Sequence, residues 1–391
     1  MKPKIVLAYS GGLDTSVCIR WLTEAGFQVI AFCADVGQEK DISPARKRAL
    51  SLGAVKVVVR DLKSVFAADY VLPAFQAGAV YEGKYLLATA LSRPLIAKAL
   101  VETARSEGAV AVAHGCTGKG NDQVRIELSV RILNPKLKIL APVREWKLKS
   151  RQEEHDYLVS RRLPAPPKSD SRYSIDQNLW GVSIESGPLE DPWVEPPSAA
   201  YRWSKDLARA KAVSQVVQID FQEGRPVALN GRRTALVPLI QSLNRIGGEH
   251  GVGRSDLIED RLVGIKSREI YEAPGATILH AARRELEQLT LDRETLTFKE
   301  GVAQRYARMI YDGLWFTPLK GALDAFVRST QDRVTGSVRL RLYRGGVACA
   351  GRKSPHSLYT RRLATYERGD LFDQKAAAGF IALWGLPYVR Q

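Results

Sequence analysis

The residues best suited to chemistry stand near the start of the chain, where Ala8-Tyr9-Ser10-Gly11-Gly12-Leu13-Asp14-Thr15-Ser16 follows a short apolar run beginning at Ile5. Two adjacent glycines let a chain turn tightly and bring its amides close to a ligand. A helical pattern begins directly after them, so the first amides of a helix, with their partial positive charge, are aimed beyond the strand. Ser10, Thr15 and Ser16 add hydroxyl donors on both sides of the turn, and these features together describe a phosphate-binding loop. A bare Gly-Gly turn after a strand is commonly only structural; the flanking hydroxyls favour the functional reading. The spacing is neither the GxxxxGKS/T of common nucleotide hydrolases nor the GxGxxG of dinucleotide binders.

A second polar stretch, His114-Gly115-Cys116-Thr117-Gly118-Lys119-Gly120-Asn121-Asp122-Gln123-Val124-Arg125, follows the apolar segment Ala109 to Ala113. Glycine, amide and charged side chains in such density are poor material for a core. Their position after an expected strand matches the crevice at the strands' carboxyl ends, where open α/β sheets bind ligands. A solvated loop has a similar composition, but a loop here would lie beside the Ser10 turn.

The elements that must position these loops are readable from periodicity. Short β-branched segments at Ile5 to Tyr9, Gln28 to Ala34, Val55 to Arg60, Ala109 to Ala113 and Leu137 to Leu140 alternate with helical patterns at Thr15 to Glu24, Pro44 to Leu52 and Ser92 to Glu107. Gly26, Gly53 and Gly108 are plausible helix stops. This predicts an α/β unit over residues 1–165, a largely parallel sheet covered by helices on both faces. Pro164, Pro166 and Pro167 follow a helical pattern at Glu153 to Arg161 and cannot continue it, which marks a boundary. Residues 170–365 read as α+β. Strands are expected at Val182 to Glu185, Val216 to Phe221, Pro226 to Asn230 and Leu262 to Lys266, and helices near Ala235 to Ile246, Ile278 to Gln288 and Gly301 to Gly313. A hairpin joins Ser337 to Tyr343 with Val347 to Cys349, and residues 366–391 hold a terminal helix or arm around Gln374 to Trp384.

Composition narrows the class. A chain of 391 residues, 45% hydrophobic and 26% charged, has ample material for two or three packed units. No apolar run approaches the roughly 18 residues a membrane helix needs, and the N-terminus lacks the shape of a secretory signal, so a cytoplasmic protein without a membrane partner is expected. Cys18, Cys33, Cys116 and Cys349 form no CxxC pair and make no short-range cluster with histidine. Neither a disulfide scaffold nor a protein-held metal centre is indicated. The net charge of +16 fits a nucleic-acid partner, a phosphate-rich substrate or a basic solvated surface. Its even dispersal favours the last.

The Ser10 loop resembles the SGGxDS-type loop of the ATP pyrophosphatase superfamily, which grips the pyrophosphate released when an adenylate forms. That fold places Ala34, beyond the second strand, beside the nucleotide. Over essentially the whole chain, the motifs AYSGGLDTS, YExxYLLxT, HGxTGKGNDQVRxEL, YSxDxNLW, LEDPW and GIKSRxxYExP, in this order and spacing, resemble the argininosuccinate synthase family. The resemblance implies an ATP- and Mg2+-dependent carbon–nitrogen ligase. Such an enzyme joins L-citrulline to L-aspartate through a citrullyl-adenylate, releasing AMP and pyrophosphate, and is usually a homotetramer.

Residue by residue, the resemblance implies that the loop from Ala8 to Ser16, with Ala34 and Gly115, holds ATP, and that Thr117, Asn121 and Asp122 bind aspartate. It implies that Tyr85, Asn121, Arg125, Ser174, Ser183, Glu259 and Tyr271 meet citrulline. The charges suit these assignments, since Arg125 pairs with a carboxylate and Asp122 receives an ammonium. Ser10, Asp14, Lys119 and Asp122 are expected nearest the chemistry, Asp14 positioning the nucleotide and Lys119 meeting phosphate; no general base stands out. One departure matters: the family's serine after Thr89 is Ala90 here. A missing hydrogen bond of this kind costs about 1.5–3 kcal/mol if nothing replaces it, and Thr89 is the nearest replacement. The departure motivates an alternative, the same ligation on another ureido amino acid. A tRNA-modifying pyrophosphatase is a more distant one, lacking suitable reactive cysteines or an added RNA-binding module. Cys116 stands where the family has alanine and is given no nucleophilic role.

Overall fold

Five short strands form a parallel sheet: β1 (Lys4–Ala8), β2 (Gln28–Asp35), β3 (Lys56–Asp61), β4 (Ala111–Ala113) and β5 (Lys138–Leu140), in the spatial order β3-β2-β1-β4-β5. The computed structural model describes residues 2–38, 43–166 and 172–389. Both faces of the sheet are covered, which is why its central strands read as unbroken apolar runs. Side chains alternate across β1: Ile5 and Leu7 join Val17, Ile19 and Leu22 of α1 (Leu13–Glu24) on one face. Val6 joins the cluster containing Leu91, Leu95 and Leu100, which belong to the long helix Ala88–Glu107 on the other face. All five expected strands are present, and that long helix ends at Gly108, in the left-handed conformation at φ +62°.

The chain builds outward from β1 to β3 and then returns to place β4 against the free side of β1. The carboxyl ends of β1 and β4 therefore flank the point where strand order reverses, where such sheets open a crevice. The Ser10 loop leaves one end and the His114 loop the other.

Beyond the helix Arg151–Val159, two antiparallel sheets carry the rest of the chain. One contains β6 (Ser174–Asn178), β7 (Gly181–Glu185), β11 (Arg254–Asp260) and β12 (Lys266–Glu272), ordered β11-β12-β7-β6. The other contains β8 (Gln215–Gln222), β9 (Arg225–Leu229), β10 (Arg232–Arg233), β13 (Gly336–Tyr343) and β14 (Gly346–Lys353), ordered β10-β9-β8-β13-β14. The helices Leu236–Glu249, Pro274–Thr290 and Arg293–Tyr311 belong to the α+β half; the first two match the expected positions within about four residues, and the third begins eight residues before the expected Gly301. Of the strand expected at Leu262 to Lys266 only Lys266 is in a strand, as the first residue of β12; Leu262 to Ile265 form the turn between β11 and β12. Gly264 sits there at φ +84°, and Arg261 and Ile265 close the turn with a 2.9 Å backbone bond. An apolar run of that length does not distinguish a strand from a hairpin tip. The helix Pro318–Ser329, strands β6, β10 and β11, and β12 beyond Lys266 were not expected from the sequence.

The halves are joined at the N-terminal end of the long helix. Asn178 Nδ2 donates to the Ala88 carbonyl at 2.8 Å, Trp180 Nε1 to that of Leu86 at 3.0 Å, and the Leu179 amide to that of Val36 at 2.9 Å. These bonds fix β6 and β7 against the carboxyl edge of the parallel sheet. The helix Ala376–Gly385 lies within the expected terminal segment and leaves Phe380, Ile381, Leu383 and Trp384 exposed. No helix of the described residues is long and apolar enough to cross a membrane.

Candidate active site

Between β1 and α1 the loop is shaped by what cannot fit. Gly11 has φ +78°, and a Cβ there would lie 2.9 Å from the Ala45 Cβ, so both conformation and space demand glycine. Gly12 precedes α1 with no side-chain cap, leaving the amides of Leu13, Asp14 and Thr15 without helical partners. The hydroxyls divide into two pairs. Ser16 Oγ donates to the Gly12 carbonyl at 2.7 Å and lies 3.3 Å from the Tyr9 hydroxyl, so this buried pair braces the turn from behind. Ser10 Oγ accepts from the Gly12 amide at 3.3 Å and lies 3.1 Å from Thr15 Oγ1, at the open side. Behind the helix start, burial first and then the Asp14 carboxylate raise the Glu154 carboxyl from its ordinary 4.5 to about 8.

The second loop touches the first. A Cβ on Gly115 would come within 2.8 Å of Thr15 Cγ2, so only glycine allows this approach. His114 holds the strand end: its Nδ1 accepts from the Cys116 amide at 3.2 Å and its Nε2 lies 3.1 Å from Glu127 Oε1. Ala34, at the end of β2, is half-buried, and its carbonyl accepts from Gln38 Nε2 at 2.8 Å. Thr117 and Lys119 lie exposed on the His114 loop, outside the lining of the cleft described next.

A cleft lies between the end of the His114 loop and the β11-β12-β7-β6 sheet. Its walls include Tyr85, Thr89, Asn121, Asp122, Arg125, Ser174, Ser183, Glu259 and Tyr271, which the sequence reading named; it also includes Gly120, Asp176, Glu185, Arg261 and Glu269. The two-residue period of strands explains the shared face. Ser174 and Asp176 alternate on β6, Ser183 and Glu185 on β7, and Glu269 and Tyr271 on β12; the register sets Asp176 beside Ser183 and Ser183 beside Tyr271. The intervening Val182, Ile184 and Ile270 pack with Leu189 and Ala200 on the opposite side.

Tyr85 stacks on Tyr271 with ring centroids 4.1 Å apart, and its hydroxyl accepts from the amides of Thr89 at 3.1 Å and Ala90 at 3.2 Å. Ala90 is fully buried and absent from the lining, whereas Thr89 Oγ1 lies 2.5 Å from Ser183 Oγ within it. Glu259 accepts from the Tyr271 hydroxyl at 2.5 Å and from the Tyr311 hydroxyl at 2.8 Å. Asp122 accepts from Arg93 Nη2 at 2.6 Å and Arg125 Nη1 at 2.9 Å, while Arg93 also pairs with Asp176. Burial opposes the charge of Asp122, but Arg93 and then Arg125 outweigh it and hold the carboxyl at about 2. On the facing wall, burial and then Glu259 and Glu185 push Glu269 up to about 8. The Cys116 thiol is pushed up to about 12, chiefly by burial, in keeping with the absence of a nucleophilic role.

Sequence reasoning missed several members of this site. Asp176 and Glu185 carried a signal, the alternation of polar with apolar residues next to Ser174 and Ser183. Arg93, Arg261 and Tyr311 carried none, because each reaches the site from an element whose local pattern is that of an ordinary helix or turn. Arg261 pairs with Glu185 and Glu269 and donates to the Lys119 carbonyl at 3.3 Å, tying the β11-β12 turn to the His114 loop.

A family model described as the arginosuccinate synthase N-terminal HUP domain matches residues 4–164, and one described as the arginosuccinate synthase C-terminal domain matches residues 173–390. The chain is 56% identical over 384 residues to an argininosuccinate synthase of Bacillus pumilus (strain SAFR-032), covering 98% of this chain and 95% of that one. It is 57% identical over 385 residues to one of Geobacillus thermodenitrificans (strain NG80-2), covering 98% and 95%. To one of Carboxydothermus hydrogenoformans it is 55% identical over 388 residues, covering 99% and 97%. With matches of this extent along both halves, the chain belongs to the argininosuccinate synthase family.

Proposed function

We propose that the two loops and the cleft divide the work of argininosuccinate synthesis between them, the Ser10 loop holding ATP and the cleft holding both amino acids. The chain is an ATP-dependent carbon–nitrogen ligase that joins L-citrulline to L-aspartate with release of AMP and pyrophosphate. The citrulline ureido oxygen attacks the α-phosphorus of ATP and pyrophosphate leaves; the aspartate amine then attacks the activated ureido carbon and AMP leaves.

In this reading the amides of Leu13 to Thr15, with Ser10, Thr15 and Gly115, receive the phosphates, and Ala34 lies beside the nucleoside. The departing pyrophosphate develops its charge against these preorganised donors. Asp14 orients the nucleotide from the first turn of α1, and Lys119 meets phosphate from its exposed position. The α-carboxylate of citrulline meets Arg125, and Glu259, held by two phenols, receives its ammonium. Tyr85, Ser174, Ser183 and Tyr271 complete that pocket. Thr117, Asn121 and Asp122 take aspartate, with Asp122 receiving its ammonium. The hydroxyl that Ala90 lacks is supplied by the Thr89–Ser183 pair, which supports citrulline itself as acceptor. Catalysis rests on alignment and electrostatics, without a covalent enzyme intermediate.

Magnesium fits as a companion of the nucleotide, because it prefers hard oxygen donors and is commonly bound through substrate phosphates. The Ser10 and Thr15 hydroxyls at the open side of the loop are such donors, and the ion supplies charge neutralisation to the triphosphate. The proposed units are a nucleotide domain over 1–165, a synthetase and multimerisation domain over 170–365 and a C-terminal arm over 366–391. The exposed apolar side chains of that arm support a homotetramer, and the protein is proposed to act in the cytoplasm without nucleic acid. One observation carries the reading: the residues implied for citrulline line one cleft together with Asn121 and Asp122, two of the three implied for aspartate. The test is AMP formation by the purified protein with ATP, Mg2+ and aspartate, comparing citrulline with other ureido acids and with no acceptor. Citrulline-dependent AMP with argininosuccinate is expected; AMP only with another acceptor overturns the citrulline assignment.

A further inference from the structure

We infer that Tyr311, at the C-terminal end of the helix Arg293–Tyr311, is a positioning residue that orients Asn121, Arg125 and Glu259 and so sets the affinity for both amino-acid substrates. The inference rests on the assignment of these three side chains to citrulline and aspartate given above. Tyr311 is 1% exposed and does not line the cleft, so it acts through its neighbours.

The polarity of the hydrogen bonds runs one way. The Leu262 amide, which can only donate, gives its proton to Asn121 Oδ1 at 2.9 Å, which fixes the orientation of the Asn121 amide. Asn121 Nδ2 must then donate to the Tyr311 hydroxyl oxygen, at 2.7 Å. The single phenolic proton is thereby directed to Glu259 Oε1, at 2.8 Å. The same residue grips Arg125 through its backbone, since Nε donates to the Tyr311 carbonyl at 2.9 Å and the guanidinium lies 4.7 Å from the ring centroid. With Nη1 committed to Asp122, Arg125 Nη2 remains buried with no protein partner, the atom left for a substrate carboxylate. Two features hold Tyr311 in place. Tyr81 stacks on it with centroids 3.6 Å apart, and Gly313, at φ +77°, brings the following chain so close that a Cβ would lie 2.9 Å from the Arg125 Cα.

Tyr311→Phe removes the hydroxyl but keeps the ring, the stack and the carbonyl. The expected result is a rise of about tenfold in KM for citrulline and for aspartate, the scale of one lost hydrogen bond, with KM for ATP little changed and a fall in Tm no larger than that of the control below. Tyr306→Phe is the control: it removes a buried phenol on the same helix that donates to Asp324 at 2.6 Å, away from the cleft, and is expected to affect Tm alone. A double-mutant cycle of Tyr311→Phe with Glu259→Gln is expected to show non-additive effects on citrulline KM. Unchanged amino-acid KM values in Tyr311→Phe, or a parallel rise in all three KM values with a fall in Tm, overturn the inference. Wild-type protein that forms no citrulline-dependent AMP overturns the substrate reading instead, which separates the two failures.

Discussion

The proposed phosphate loop and the proposed amino-acid cleft are linked through the His114 loop and are built on opposite plans. The loop is contiguous, from Ala8 to Ser16, and under the proposed function it works through backbone amides, while Gly11 and Gly115 make room where a Cβ would meet Ala45 and Thr15. The cleft draws residues from the long helix and the segment before it, the His114 loop and the helix Asp122–Leu133 that follows it, four strands and the β11-β12 turn, and its charged side chains are largely paired with one another. A phosphate chain presents the same charged oxygens throughout, so fixed amide donors suffice. Two different amino acids must each be recognised at a carboxylate and an ammonium, and that requires opposite charges at set positions. Those charges stay ready because they are paired with one another before substrate arrives.

The largest expected effect breaks the cleft's charge arrangement. Asp122→Asn leaves Arg93 and Arg125 without their shared carboxylate in a part-buried site, where Arg93 keeps only Asp176. The value of kcat/KM for aspartate is expected to fall by at least about a hundredfold, while nucleotide binding, read by equilibrium titration with an ATP analogue, changes little. Equal losses at both sites would remove the proposed division of labour. On the loop side, Gly115→Val presses against Thr15 and is expected to raise KM for ATP about tenfold or more, with citrulline KM nearly constant. A smaller effect tests the replacement for Ala90. Thr89→Val removes the hydroxyl that meets Ser183 and is expected to raise citrulline KM about tenfold. If Thr89→Val leaves citrulline KM unchanged, the Thr89–Ser183 pair does not compensate for Ala90.

The contrast between the two regions also explains what the sequence revealed. The loop was legible because its glycines, hydroxyls and helix start are neighbours in the chain, and local pattern is what a sequence displays. The five parallel strands were legible for the same reason, as apolar runs separated by helical periods. Ser174, Ser183, Glu259 and Tyr271 were named through the family resemblance, because nothing in the local sequence marks Glu259 as the buried carboxylate it is, 2% exposed. Arg93 and Tyr311 were illegible because their roles arise from partners distant in the chain, Asp122 and Asp176 for the first and Asn121 and Glu259 for the second. The apolar Leu262 to Lys266 run was misread because strand propensity reflects a half-buried surface, and at this tip Leu262, Val263 and Ile265 are exposed.

The smallest expected effect is on stability, and each region supplies one group for it. Glu154 behind the loop and Glu269 in the cleft both have carboxyls raised to about 8, chiefly by burial and then by neighbouring carboxylates, Asp14 for the first and Glu259 for the second. From about pH 4.5 to about pH 8 the folded chain keeps protons that the unfolded chain has released, so these groups make stability fall as pH rises through that window and level off above it. Glu154→Gln removes one of the two titrations. Its Tm is expected to drop less than that of the wild type between about pH 5 and about pH 8.5, and Glu269→Gln should flatten the same slope by a comparable amount. Activity then separates them, because a neutral amide beside Asp14 is expected to move KM for ATP and one beside Glu259 to move KM for citrulline. Parallel Tm curves for wild type and both variants would show that neither carboxyl holds its proton in the folded chain. The loop and the cleft would then differ only in how they present donors, with no difference in the acid groups behind them.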